Sequence, residues 1–288
     1  MSDEYGELYF IRMERLMKLV SKENVENQVE ESNLVQLYHK TAAKPVAQFK
    51  GEKLNFYGLL KKMQDPERKI RKAALTAWSD LYQSIADDLN DIYTKLINNR
   101  IKQAQVLGFK DYTEMMYLSM ERFDYDREDV ACYREMIRQF VVPVVAEIYE
   151  KQRNRLGIDH LYYYDEDMSS PEGNAIPYGT TEEQVQLAQK MYHELSKETG
   201  EFFDFMVQHQ LFDLETKPGK MQGGYCTFLP DMMAPFIFSN FNRTSADVDV
   251  LTHEAGHAFE AYTATRNGVP DEIAFSTSEV AEIHSMSM

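Results

Sequence analysis

Apolar residues recur along most of this chain at three- and four-residue steps, which predicts helix over most of its length. Residues 8–40 carry Leu8, Ile11, Leu16 and Leu19 with few breakers. Asp65-Pro66-Glu67 is a helix start: an acid at the N-cap, proline in first position and an acid in the first turn. The stripe that follows, through Ile70, Ala77, Leu81, Ile85, Leu89 and Leu96 to Val106, predicts one very long helix stopped at Gly108. Asp111 opens a shorter helix. Asp126-Arg127-Glu128-Asp129 caps another, with Val130, Tyr133, Ile137 and Phe140 turned inward, a kink at Pro143 and a stop at Gly157. Thr181-Glu182-Glu183-Gln184 caps the next, which runs toward Gly200, and residues 202–211 continue as helix.

The punctuation between these stretches is also readable. Lys50-Gly51-Glu52 predicts a turn, and Ser169 to Gly179 predicts a loop. The aromatic run Leu161-Tyr162-Tyr163-Tyr164 is read as buried ring packing rather than a substrate channel. From Phe212 the texture changes, as β-branched and aromatic residues fall between glycines and predict short strands near 225–228 and 235–241. An exposed edge at 235–241 would hold a peptide backbone by strand addition. The expected fold is mainly α with a small β element, in one mostly helical portion: residues 1–210 a helical lobe, residues 211–288 the β element and closing helices.

The closing helices carry the chemistry. Thr244-Ser245-Ala246-Asp247 reads as a capping box, Gly268 as a stop, and Val248, Leu251, Ala255, Ala258 and Tyr262 as a buried stripe between them. That helix contains His253-Glu254-Ala255-Gly256-His257, an H-E-x-x-H array. Two histidines four residues apart share a helix face and can aim one ring nitrogen each at a single ion. Glu254 lies to the side of that face, where it meets a metal-bound water rather than the metal. Ser276-Thr277-Ser278-Glu279 reads as a second capping box, so another helix begins there. Glu282, 282 − 257 = 25 residues past the second histidine, would complete a two-histidine, one-carboxylate zinc site with an open fourth position. Glu279 is the competing ligand, better suited to capping. His39, His160, His193 and His209 lack a partner at ligand spacing, and His284, two residues beyond Glu282, points elsewhere.

His253 to Phe259, followed by Phe275 to Ile283, resembles the M3 metallopeptidases and within them the oligoendopeptidase F branch. Gly223-Gly224-Tyr225-Cys226 and the stretch 235–241 are similar as well. The resemblance implies one zinc ion on His253, His257 and Glu282, with Glu254 as general base on a zinc-bound water. It further implies short, unstructured oligopeptides as substrates, admitted to a deep channel between helical lobes. Family members continue well past the position matching Met288, which stands 288 − 282 = 6 residues beyond Glu282, so the chain reads as truncated and is expected to bind zinc and turn over more weakly than a longer version. Two alternatives are a zinc carboxypeptidase of related helical fold and a zinc-binding fragment without turnover.

Charge and composition narrow the partners. A net charge of −16 argues against nucleic acid or anionic membrane. No secretory signal and no run of eighteen apolar residues is visible, and Cys132 and Cys226 are too few and too far apart for a disulfide scaffold. The simplest address is the cytoplasm.

Overall fold

Helices account for most of the computed structural model, which describes residues 6–288. In chain order they are α1 (Glu7–Leu16), α2 (Val25–Ala43), α3 (Phe56–Lys62), α4 (Arg68–Ser84), α5 (Ala86–Val106), α6 (Tyr112–Ser119), α7 (Arg127–Met136), α8 (Val142–Arg155), α9 (Thr181–Leu195), α10 (Lys197–Gln208), α11 (Ala246–Arg266) and α12 (Ser278–Ser287). A hairpin, β1 (Ala47–Phe49) and β2 (Glu52–Leu54), follows α2, and β3 (Phe212–Glu215), β4 (Tyr225–Leu229) and β5 (Ala234–Phe241) follow α10. The fold is thus mainly α with a small sheet beside the H-E-x-x-H helix. Among the described residues no helix is long and apolar enough to cross a membrane.

The chain divides into two compact units, residues 14–174 and residues 175–288 together with residues up to 13. In the first, Phe49, Phe56, Leu59, Met63, Ala74 and Leu81 form one core, and Leu34, Ile92 and Leu96 another. The expected very long helix is broken between them. Ile85 leaves helical geometry (φ −121°, ψ 9°), and the Ser84 hydroxyl donates to the Leu81 carbonyl at 2.6 Å, competing with the backbone ladder. One apolar stripe in the sequence therefore serves two cores. The expected turn at Lys50-Gly51 closes the β1–β2 hairpin, with both residues at positive φ (49° and 88°).

Asp126 forms a capping box with Asp129 as expected, and Gly157 ends α8 at φ 64°. Pro143 acts differently from a simple kink. It cannot donate to the ladder, and a π segment, Ile137–Val141, precedes it before α8 restarts at Val142. Of the residues expected inward here, Tyr133 and Phe140 face solvent, 63% and 64% exposed, while Val130 and Ile137 are half-buried.

The tyrosines at 162–164 are not buried ring packing either. Tyr162 and Tyr164 stack at 5.3 Å and flank the Arg68 guanidinium, whose carbon lies 5.5 and 5.7 Å from their ring centres. The buried group is Asp165, fully enclosed and bonded by Arg68 at 2.8 Å and Arg71 at 2.7 Å. Burial alone would raise its pKa; the hydrogen bonds from Arg68, Arg71 and the Tyr162 N–H outweigh it and hold the carboxyl below its ordinary value. A depressed folded pKa contributes stability that is present above the unfolded pKa and lost as pH falls through the folded one. Asp165→Asn, which leaves Arg71 buried without its counter-charge, is expected to cost about 3–5 kcal/mol. It is also expected to flatten the acid limb of unfolding below about pH 4, where the wild type loses this term. Urea unfolding at pH 7 and pH 3 checks both; equal stability at the two pH values in the wild type would contradict them.

In the second unit α9 and α10 supply Tyr192, Phe202, Phe203 and Met206, which pack with Ile237 and Phe241 of β5 and with Leu251, Ala255 and Ala258 of α11. This shared core draws the two helices to the sheet, and the compact units part at 174/175. The sheet order is β3–β5–β4, with β3 parallel and β4 antiparallel to β5. Residues 235–241 are therefore the central strand, paired on both sides. The edge strands are β3 and β4. Asn240 on β5 donates to the carbonyls of Met221 and Gly223, and the buried Lys220 ammonium donates to those of Asp213 and Glu215, fixing the loop that leads into β4.

Candidate metal centre

The helix that carries His253 and His257 is set by tertiary packing more than by its expected caps. Ser245 is the N-cap and makes no side-chain capping bond. Asp247 instead accepts from the backbone N–H of Asn242 (3.0 Å) and Arg243 (2.7 Å), which bends the chain from β5 into α11. Leu251, Ala255, Ala258 and Ala261 are buried, whereas Val248, expected in the same stripe, is 46% exposed. The rings of His253 and His257 lie side by side on one face, 5.0 Å between centres and nearly perpendicular.

α12 crosses that face at Gly256. A β-carbon on Gly256 would stand 2.6 Å from the Ser285 Cα and 3.0 Å from the His284 carbonyl oxygen, so the two backbones meet where only glycine fits. This approach brings the Glu282 carboxylate over the imidazoles, with Oε2 3.2 Å from His253 Nε2 and Oε1 3.7 Å from His257 Nε2. One ligand atom from each of His253, His257 and Glu282 can be chosen so that all lie within 4.8 Å of one another; no other such group occurs among the described residues. Ser285, buried, donates its hydroxyl to Glu282 Oε2 at 3.0 Å and so orients the carboxylate. Glu279 is not part of the cluster.

This set suits zinc in donor type and spacing. Zinc takes imidazole nitrogen and carboxylate oxygen at about 2.0–2.2 Å in a tetrahedron, which spaces the donors about 3.4 Å apart. The 3.2 and 3.7 Å separations bracket that value. Burial lowers the pKa of His257, against the pull of Glu282, and so favours the neutral ring that a metal requires.

Glu254 lies next to the cluster and outside it, with 8% of its surface exposed. Burial raises its pKa, Glu282 adds to the rise, and His253 and the Cys226 backbone N–H oppose it. That N–H lies on β4, so an edge strand of the sheet meets the Glu254 carboxylate. Burial and the neighbouring Glu254 push the Cys226 thiol up to about 12, which keeps it protonated and inert.

Three residues near this cluster escaped sequence reasoning. Gly256 and Ser285 show no signal in one sequence, because each matters only through the other helix. Glu260 sits within the same motif helix, and nothing local in the sequence marks its partner on the next helix. His284 approaches Glu260 Oε1 at 3.9 Å and does not join the cluster.

Comparison with known proteins identifies the family and the fold. The family model described as peptidase family M3 matches residues 61–288. A relative from Borreliella burgdorferi, an oligoendopeptidase F homolog, is 23% identical over 226 residues, covering 78% of this chain and 37% of that protein. The solved structure of PZ peptidase A with an inhibitor superposes with a TM-score of 0.96 at 41% identity, over 99% of this chain and 51% of that one. A Bacillus anthracis structure described as an oligoendopeptidase F gives 0.94 at 42% identity, over 99% and 52%. The chain spans about half the length of these solved relatives. With the family model matched over more than half of its residues and this fold shared, the chain belongs to peptidase family M3, with its likeness in the oligoendopeptidase F branch.

Proposed function

We propose that these 288 residues form part of an M3-type catalytic domain that hydrolyses peptide bonds in short oligopeptides, with zinc held by His253, His257 and Glu282. The observation that carries this reading is the convergence of two imidazole nitrogens and one carboxylate on one spot, with a buried carboxylate beside them. Bound zinc supplies Lewis acidity that polarises a carbonyl and makes water acidic at neutral pH.

The residues do the rest. Glu254 accepts a proton from the attacking water on its carboxylate and returns it to the leaving amine nitrogen. Its enclosure beside Cys226 keeps the acceptor oxygens out of bulk water. Ser285 holds the Glu282 carboxylate in place through its hydroxyl. The free edge of β4, adjacent to Glu254, offers main-chain groups for an extended peptide. The name of the similar proteins, oligoendopeptidase F, supports internal cleavage over the release of C-terminal residues.

Two substitutions test the ligand assignment. Glu282→Gln removes the anionic donor and is expected to weaken zinc about 100-fold or more, while Glu279→Gln leaves affinity unchanged. Zinc titration against a competing chelator reads both. Loss at position 279 with retention at 282 would move the third ligand by one helical turn.

A further inference from the structure

We propose that Glu260 is a positioning residue for the metal site: its carboxylate, reaching from α11 to the start of α12, sets where Glu282 meets His253 and His257. This inference rests on the metal-site reading above.

The connection between the two helices is weak in regular structure. Residues 267–277 hold one short 3₁₀ turn, Asp271–Ile273, and the N-cap residue of α12, Thr277, makes no side-chain capping bond. A helix start leaves backbone donors to be satisfied. The expected box at 276–279 would have met this locally. Instead the Ser276 N–H donates to Glu260 Oε1 at 2.9 Å, so α11 itself supplies the acceptor at the entrance to α12.

The position of Glu260 makes the link consequential. It lies one turn along α11 from Gly256, on the face that meets α12, and its side chain is 11% exposed. A carboxylate so enclosed is held only where its oxygens find donors. From the α12 side it meets the Ser276 N–H and, at 3.9 Å, His284 Nε2; His257 on its own helix and Cys226 on β4 also feel its charge. Its Oε2 and the Ser276 hydroxyl oxygen are both buried without a partner, an acceptor and a donor of matching kind in one cleft.

Glu282 lies between these two attachments, six residues after Ser276 and two before His284. On a helix, residues two apart point to different faces. His284 therefore turns toward Glu260 while Glu282 turns toward the imidazoles. Gly256 against Ser285 sets how closely the helices approach, and Glu260 sets how α12 is rotated and where it begins. Without the link, Glu282 keeps its chemistry and loses its place.

The test uses the whole chain and reads metal binding rather than turnover. Wild type, Glu260→Ala, Glu260→Gln and Glu260→Asp are compared by zinc titration against a chelator and by the visible spectrum of the cobalt-substituted site. The unfolding midpoint of each metal-free protein is measured alongside. The amide of Gln keeps an acceptor for the Ser276 N–H, whereas Asp keeps the charge and falls short by one methylene. We expect Ala and Asp to bind zinc 10–100-fold more weakly with altered cobalt bands, and Gln to recover most of the affinity and the wild-type spectrum. Wild-type affinity and spectrum in Glu260→Ala would overturn the proposal. So would the reverse ranking, with Asp intact and Gln impaired, which would make charge and not reach the operative property. Should Glu260→Ala fail to fold, the Asp and Gln pair decides alone. A wild-type chain that binds neither metal would instead refute the underlying metal site, and is read before any variant.

Discussion

Gly256→Ala is expected to lower zinc affinity by about 100-fold or more, at the upper end of what changes outside the ligands themselves cost. Taken by helix propensity alone, the substitution would stabilise α11 by about 1 kcal/mol. The contact overrides that preference. The new methyl would stand 2.6 Å from the Ser285 Cα and 3.1 Å from its nitrogen, both backbone atoms that no rotamer change can clear. α12 must therefore move away, carrying Glu282 from His253 and His257. Forced repacking of this kind typically costs about 1–3 kcal/mol, so the chain is expected to stay folded while the site opens. Gly224→Ala is the control: its nearest neighbours would be 3.5 Å away, an ordinary contact, and zinc binding should be little changed. Full zinc affinity in Gly256→Ala would mean that the close crossing is not what places Glu282.

The second large effect concerns Glu254. In a form of the protein that cleaves peptides, Glu254→Gln is expected to retain zinc and lose about 10²–10⁴-fold in turnover. The amide is nearly isosteric and still fits the enclosed position beside Cys226, but it cannot accept a proton. Metal content and cleavage of a quenched-fluorescent peptide, measured on one preparation, separate the two roles. Loss of stoichiometric zinc would make Glu254 a ligand. Undiminished cleavage would move the proton acceptor elsewhere.

That His253, His257 and Glu282 come together was legible in the sequence because their signal is local. Four residues apart on a helix is one face, and a second helix start with an acid in its second turn supplies a third donor. The mainly helical architecture was legible for the same reason. What escaped reading depends on contacts across the fold. The break at Ile85 leaves the apolar stripe uninterrupted and shows only in which core each half meets. The expected capping boxes at 244–247 and 276–279 contain the right residues, yet Asp247 turns to the two N–H groups upstream and the Ser276 N–H turns to Glu260. Local pattern cannot rank such partners. The stretch 235–241 reads as a strand, but only the pairing order shows it to be central, which leaves the edges to β3 and β4. Gly256 reads as a helix-weakening residue within the motif; its reason is a backbone on another helix.

The central claim is that His253, His257 and Glu282 share one metal ion. Anomalous diffraction at the zinc edge, from crystals grown with one equivalent of zinc, tests it most directly. The account predicts a single strong peak about 2.0–2.2 Å from His253 Nε2, His257 Nε2 and a Glu282 carboxylate oxygen, with Glu254 outside bonding distance. A peak at other residues, a peak bonded to Glu254, or no peak at this cluster would contradict it.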